Sequence, residues 1–163
     1  MKAASAAVEL IKRVTHEDQQ SEQVFQLLED FLCCVDEAAA EQGMPACLLV
    51  NFRWRLLSLL GLEPQLVDCI HCGNRLERMS SYCFRPSDGG IVCLSCSGEL
   101  KGNAGGPLMI SYAALRHIYR SGRIFPLPRE ELTALSEQDF DRERQAADRY
   151  QAYHLGEQNV KRS

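Results

Sequence analysis

The sequence has no run of about eighteen apolar residues, so it predicts no segment that crosses a membrane as a helix. It also has no glycine-rich loop of the kind that holds phosphates. None of its four histidines, His16, His71, His117 and His154, belongs to a motif with a serine, cysteine or aspartate that would indicate catalysis. We therefore expect a protein that is not an enzyme.

An excess of positive charge is also missing. The chain carries 18 lysines and arginines against 22 acidic residues, a formal net charge of −4. The acidic excess lies in residues 1–66, while residues 105–163 are close to neutral. Proteins that bind DNA strongly on their own present a basic surface to its phosphates. Any contact with nucleic acid must therefore come from a local patch.

The N-terminus lacks the apolar region of a secretion signal. Lys2 is followed by small residues, but Glu9 and the pair Lys12 and Arg13 interrupt the segment before such a region forms. We expect a cytoplasmic protein. Thiols stay reduced in that compartment, and clustered cysteines there bind metal more often than they form disulfides.

What the sequence does contain is helical periodicity at both ends. Apolar residues recur at intervals of three and four in residues 3–14 and 22–42. Residues 45–60 are apolar on most sides, which is typical of a central helix covered by its neighbours. Ser111 suits the N-cap of a later helix, and Ser136 resembles the start of the last one.

The middle of the chain differs. In residues 67–104 the helical period stops, and residues 81–93 predict a short β-hairpin that is too small to be stable alone. We therefore predict a mainly α protein, a helical bundle with an inserted small cysteine module that contains the hairpin. Residues 1–66 supply the N-terminal helices, residues 67–104 the module, and residues 105–163 the helices that pack back on the bundle.

Two Cys-x-x-Cys pairs in this module predict a metal site. Cys69 and Cys72 are separated from Cys93 and Cys96 by twenty residues, within the spacing of zinc modules. Each two-residue gap lets one tight turn aim two sulfurs at one point, and Gly73 permits the positive φ that such turns often need. Four thiolates around Zn²⁺ leave no open position, so the expected role is structural. The alternatives are a redox motif, which would need a βαβ context, and coincidence.

Four other side chains raise smaller questions. His71 lies inside the first cysteine pair and Cys83 lies mid-strand, and we expect both to stay outside the ligand set. Arg53 and Arg55 lie in the most apolar helix, where each needs a carboxylate or the surface. The acidic second helix offers partners, so structural pairing is the expected role of these arginines.

One basic stripe stands out. Arg116, Arg120 and Arg123 are spaced four and three apart on the helix that begins near Ser111, with Tyr112 one turn before them. Such a stripe can contact phosphates, with the tyrosine as a stacking surface, or the acidic tail of a partner protein. The alternative is a solvated helix face.

The segment FRWRLLSLLGLEPQLVDCIHCG, followed by FRPSDGGIVCLSC, resembles the C-terminal region of the RecO family of bacterial recombination-mediator DNA repair proteins. The shared pattern is a helix ending in two leucine pairs and glycine, a Pro-x-Leu step, a cysteine pair, a strand with Phe, a Gly-Gly turn and a second pair. The matching residues are Leu56, Leu57, Leu59, Leu60, Gly61, Pro64, Leu66, Cys69, Cys72, Gly73, Phe84, Gly89, Gly90, Cys93 and Cys96. The helices before the module and the ending YHLGEQNVKRS are similar too.

The resemblance implies a non-enzymatic mediator whose zinc module is similar in fold to that of Arf GTPase-activating proteins. Such proteins bind DNA, promote strand annealing and help to load recombinase, with a RecR partner and the tail of the single-strand-binding protein. The family's N-terminal oligonucleotide-binding barrel has no matching pattern here, so we expect the barrel to be missing and single-stranded DNA binding to be weak. A nucleoid-associated location follows from the same resemblance. The alternatives are a stand-alone zinc-knuckle adaptor, such as a transcription-associated binding protein, and a thiol-disulfide enzyme.

Overall fold

The computed structural model describes residues 2–15, 21–98 and 106–156. They form seven helices and three strands: α1 Lys2–Val14, α2 Glu22–Glu37, α3 Met44–Leu59, β1 Ser81–Arg85, β2 Gly90–Val92, α4 Leu94–Ser97, β3 Leu108–Ser111, α5 Tyr112–Ser121, α6 Arg129–Leu132 and α7 Glu137–Gln151. A 3-10 turn, Pro86–Asp88, joins β1 to β2, and a π-helical turn, Ala152–Gly156, follows α7. The predicted class, mainly α with a small cysteine module, is confirmed. Among these residues, no helix is long and apolar enough to cross a bilayer.

Contacts along the chain define two units. Unit 1 comprises Met1–Leu62 and Arg120–Ala134, and unit 2 comprises Glu63–Tyr119 and Leu135–Ser163. The division into segments 1–66, 67–104 and 105–163 stays a prediction.

The core of unit 1 is built by α1, α2 and α3. Val24, Leu27, Phe31 and Val35 recur at helical spacing along α2 and are buried. The rings of Phe31 and Phe52 lie 4.6 Å apart between centroids. As its sequence predicts, α3 buries most of its sides, including the single tryptophan. Burial of this apolar area is what holds the three helices together.

A buried asparagine connects α3 to the segment that follows α5 in unit 1. Asn51 is fully buried, and its Nδ2 donates to the carbonyl oxygens of Ser121 and Ile124 at 3.2 and 2.9 Å. Its Oδ1 accepts from the backbone N–H of Leu127 at 2.9 Å. Arg55 donates to the carbonyl oxygen of Gly122 at 3.0 Å, so the structural partner of this arginine is backbone. Side-chain bonds thereby replace the regular hydrogen bonding that an irregular segment lacks.

Unit 2 is organised around the sheet, in the order β2-β1-β3 with both pairings antiparallel. The hairpin β1–β2 is the one that the sequence predicts, with Pro86–Asp88 in its turn. Phe84 in β1 is fully buried and stacks on Tyr150 of α7 at 6.0 Å. The third strand was not expected, because β3 pairs with β1 across more than twenty residues of chain.

Two helix starts follow their predicted caps, and one helix end does not. The hydroxyl of Ser111 accepts from Ala114 N at 3.1 Å, and that of Ser136 accepts from Asp139 N at 3.1 Å. The second helix ends at Glu37, although its pattern extends to residue 42. Alanine favours helix, so the turn over residues 38–43 is a tertiary effect: α2 packs against α3, and the chain must connect them within this stretch.

Candidate metal centre

The four cysteines of the two pairs lie together. The sulfur atoms of Cys69, Cys72, Cys93 and Cys96 are all within 4.8 Å of one another. The Sγ atoms of Cys72 and Cys93 are 3.8 Å apart. Thiolates about 2.3 Å from a tetrahedral zinc ion lie about 3.8 Å from each other. The number, type and spacing of these donors fit a Cys₄ metal site.

A tight turn builds the first pair. Gly73 adopts φ of +73°, and its N–H donates to the carbonyl of Cys69 at 2.9 Å. The N–H of Cys69 in turn donates to the carbonyl of Asn74 at 2.9 Å. The backbone of His71 donates to Cys69 Sγ at 3.4 Å. The backbone of this turn therefore folds around the sulfur of Cys69, as the two-residue gap between the cysteines predicts.

A short helix builds the second pair. Strand β2 delivers Cys93 to the N-cap of α4, where its sulfur accepts from Cys96 N at 3.5 Å. One helical turn returns Cys96 to the side of Cys93, because residues three apart share a helix face. The N–H of Cys93 also donates to Cys69 Sγ at 3.3 Å. This last bond joins the two pairs directly.

Backbone pairing sets the two turns in register. The N–H of Gln65 donates to Gly89 O at 2.9 Å, and the N–H of Ile91 donates to Gln65 O at 3.0 Å. The N–H of Ile70 donates to Ile91 O at 3.1 Å. Gly90 is buried at this crossing, and a Cβ there would lie 2.3 Å from Gln65 O. Only glycine permits so close an approach of two backbones.

The thiols have unequal pKa values. Burial opposes the charge of Cys69, but hydrogen bonds from the backbone of Cys72, Cys93 and His71 outweigh burial and lower the pKa of Cys69 to about 6. The side-chain hydrogen bond with Cys93, together with desolvation, raises the pKa of Cys96 to about 12. One sulfur is thus already stabilised as a thiolate. A bound divalent cation would favour the thiolate form of all four.

Cys83 and His71 stand apart from this group. Cys83 is buried in β1 opposite Val92, and its burial raises the pKa of the thiol. His71 is exposed and contributes its backbone N–H to the site. Among the described residues, the cluster with metal-ligand spacing consists of the four predicted cysteines.

The residues of the predicted basic stripe are divided between the two units. Tyr112 and Arg116 lie in unit 2, whereas Arg120 and Arg123 lie in unit 1. Arg120 forms a two-point ion pair with Glu131, with N–O distances of 2.8 and 3.0 Å. Arg123 follows the end of α5, and its N–H donates to the carbonyl of Arg120. A contact role for the four residues stays a prediction.

The structure places other side chains beside Tyr112 and Arg116 that the sequence did not single out. Arg75, Arg78 and Tyr119 line a groove of about 280 Å³ in unit 2 together with them. The guanidinium carbon of Arg78 lies 4.5 Å from the centroid of the Tyr112 ring. No sequence signal joins these residues, because Arg75 and Arg78 lie in a stretch without periodicity.

A buried contact between a histidine and a glutamate was also missed. His117 Nδ1 lies 2.9 and 2.8 Å from the two carboxylate oxygens of Glu143, which joins α5 to α7 within unit 2. Glu143 is fully buried in the middle of a helix whose charged residues otherwise suggest exposure. His117 and Glu143 are far apart in the chain, so no local sequence pattern predicts that they meet.

Fold and site together define a class: a mainly helical protein with a small antiparallel sheet and a cluster of four cysteines that could hold a metal ion. The sequence model of the family described as "Recombination protein O C terminal" matches residues 1–163. The chain belongs to this family, which confirms the resemblance to the C-terminal region of RecO.

Curated relatives agree. A protein named "DNA repair protein RecO" from Desulfatibacillum aliphaticivorans is 32% identical over 159 residues, which cover 95% of this chain and 58% of that protein. One of the same name from Thermoanaerobacter sp. (strain X514) is 35% identical over 98 residues, covering 59% of this chain and 36% of the relative. The matches therefore span between about a third and three fifths of these relatives.

Proposed function

We propose that this chain acts in recombinational DNA repair as a mediator rather than as an enzyme. In this role it helps to load recombinase onto strands coated by single-strand-binding protein, and it promotes strand annealing. The observation that carries the proposal is the family match over the whole chain, together with relatives named for DNA repair. The four cysteines do not suggest metal catalysis, since four thiolates around one ion would leave no open position for a substrate.

Zn²⁺ is the metal that we propose for the four cysteines. Four sulfur donors with tetrahedral spacing favour zinc over harder cations, which prefer oxygen ligands. When bound, zinc would cross-link the turn at Cys69 and the turn at Cys93 and thereby stabilise the module. Binding to small zinc modules contributes on the order of 10–16 kcal/mol to folding. The short hairpin β1–β2 could not supply such stability alone.

The proposed partners are a RecR-like protein, the acidic tail of the single-strand-binding protein and, weakly, single-stranded DNA. Among the predicted contact residues, Tyr112 and Arg116 remain candidates for the phosphates or the acidic tail. Arg120 must share its guanidinium with Glu131, and Arg123 follows the helix end. Because the net charge is −4, we expect the chain to bind DNA only weakly at physiological salt. We place this activity in the cytoplasm, at the nucleoid.

Three measurements test the proposed function. The chain should bind a fluorescent peptide of the single-strand-binding protein tail, and a peptide with its acidic residues replaced by asparagine serves as control. It should co-elute with a RecR-like protein in gel filtration, and it should speed annealing of complementary strands coated by single-strand-binding protein. Absence of both peptide binding and co-elution would overturn the mediator role and favour an adaptor outside repair. Metal analysis should find one zinc per chain.

A further inference from the structure

We propose that Cys72 is a modification site, at which a small electrophile such as a peroxide attacks the cysteine module first, and that a disulfide to Cys93 follows. The four cysteines do not share this role equally, because their sulfurs differ in exposure and in hydrogen bonding. The inference goes beyond the proposed repair role. It depends on the proposed zinc only for its consequence, which is release of the metal.

Exposure is the first difference among the four sulfurs. Cys72 is exposed, Cys93 and Cys96 are half-buried, and Cys69 is only 2% exposed. A reagent must reach a sulfur before it can oxidise it, so exposure helps to decide which cysteine reacts. The turn that encloses Cys69 therefore leaves Cys72 open to solvent.

Hydrogen bonding is the second difference. Cys69 Sγ accepts from the N–H groups of His71 and Cys93 at 3.4 and 3.3 Å, and Cys93 Sγ accepts from Cys96 N at 3.5 Å. In the part of the chain that the structure describes, no N–H group donates to the sulfur of Cys72 or Cys96. Hydrogen bonds to a thiolate stabilise it and thereby weaken its attack. Because Cys96 is half-buried, Cys72 is the expected first target.

A second sulfur is in place to complete the reaction. The Sγ atoms of Cys72 and Cys93 lie 3.8 Å apart, whereas a disulfide bond is about 2.05 Å long. The two sulfurs must therefore approach each other by about 1.8 Å. Cys69 is the other neighbour of Cys72 in the first turn, but it is buried and held by two N–H groups. Cys93 is thus the expected partner.

The chemistry balances with hydrogen peroxide as the oxidant. The Cys72 thiolate attacks one peroxide oxygen: an S–O bond forms, the O–O bond breaks, and the released hydroxide takes up a proton to become water. The sulfur has then lost two electrons and is a sulfenic acid. The Cys93 thiolate attacks that sulfur, an S–S bond forms, the S–O bond breaks, and the second hydroxide leaves as water after protonation. Two thiols and one peroxide thus give one disulfide and two water molecules.

The consequence is loss of the metal without loss of the link between the two cysteine turns. The disulfide takes up two of the four donors, so the affinity for zinc should fall more than about 100-fold, beyond the effect of losing one outer contact of a metal site. The turn at Cys72 stays joined to the turn at Cys93, now by a covalent bond. A dithiol reductant should restore the thiolates and the metal site.

The test uses the full chain loaded with zinc and carrying Cys33→Ser/Cys34→Ser/Cys47→Ser, which removes the cysteines of α2 and α3. Hydrogen peroxide is added, a chromophoric chelator reports released zinc, and mass spectrometry maps the disulfide after alkylation of the remaining thiols. We expect one zinc released for each Cys72–Cys93 bond, and reversal by dithiothreitol. The chain with Cys33 restored is the control, because oxidation of that exposed thiol should release no additional zinc. A disulfide in another pair, or zinc release without a disulfide, overturns the proposal.

Limited alkylation supplies the second arm of the test, because it changes no ligand beforehand. With substoichiometric iodoacetamide, Cys72 should be labelled at least about tenfold faster than Cys69 or Cys93, since one hydrogen bond to a charged acceptor is worth about a factor of ten or more. First labelling of Cys69, Cys93 or Cys96 overturns the assignment. Zinc content measured before treatment reports separately on the proposed metal, and the order of labelling is read independently of it.

Discussion

A close backbone approach at Gly90, in the cysteine module, predicts a large effect of one methyl group. Gly90 packs against the segment that precedes Cys69, and a Cβ on Gly90 would lie 2.3 Å from Gln65 O and 2.9 Å from the Cγ2 of Ile70. The first contact is with backbone, which cannot rotate away as a side chain can. Gly90→Ala must therefore push the segment off β2 by about 1 Å, since a carbon and an oxygen need more than about 3 Å.

The magnitude follows from what the displacement disrupts. Two backbone hydrogen bonds of Gln65 hold the crossing, to Gly89 O and from Ile91 N, and each contributes about 1 kcal/mol. Overpacking adds about 1–3 kcal/mol. We expect Gly90→Ala to lower the free energy of unfolding by about 2–4 kcal/mol. Because this crossing sets the two cysteine turns in register, metal affinity should fall at least about tenfold, the equivalent of 1.4 kcal/mol.

Urea denaturation of the zinc-loaded chain and competition with a chromophoric chelator measure the two effects. Gly98→Ala is the matched control, because nothing lies within 4 Å of its Cβ, and it should stay within about 0.5 kcal/mol of the parent. At Gly89 no atom lies within 4 Å of an added Cβ, but φ is +90°. Gly89→Ala should therefore lower the free energy of unfolding through backbone strain alone, by about 1–2 kcal/mol. Parent-like stability and zinc affinity in Gly90→Ala would refute the proposed register.

Three further substitutions test other contacts. Cys72→Ser should abolish tight zinc binding while most of the helical circular dichroism remains, with exposed Cys33→Ser as control; retained zinc would contradict the ligand assignment. Asn51→Leu removes the three hydrogen bonds of a buried side chain and should lower the free energy of unfolding, measured in urea, by roughly 3 kcal/mol. A loss below about 0.5 kcal/mol would argue against their role. His117→Leu should lower the free energy of unfolding by about 3–5 kcal/mol, whereas the double variant His117→Leu/Glu143→Leu should lower it much less. If the losses in this double-mutant cycle are additive, the two buried side chains are not coupled.

The sequence predicted the features that depend on local order. The helix α3 extends over Met44–Leu59 where residues 45–60 were expected, because an apolar pattern at helical period specifies both the element and its burial. The first cysteine pair behaves in the same way, because a two-residue gap and a following glycine favour the turn, and Gly73 adopts the positive φ that this turn requires. The second pair was also expected on a tight turn, but Cys93 caps the short helix α4 and Cys96 lies within it.

Features that join distant residues were not predicted. Strand β3 follows a glycine-rich connector, and only its pairing with β1 makes it a strand. Arg120 belonged to a regular stripe on the helix surface, yet Glu131, eleven residues away, engages its guanidinium. Propensity and periodicity describe one element at a time, so they contain no information on which elements come together.

The sequence by itself thus determined the helices, the hairpin, the four cysteines and the membership of the family, because each of these depends on residues close in the chain or on a motif of set spacing. Only the tertiary structure decided that the four sulfurs lie within 4.8 Å of one another. It also decided that Arg75, Arg78, Tyr112 and Arg116 line one groove. The physical reason is that hydrogen bonds and packing between distant segments, such as those at Gly90, set their relative positions.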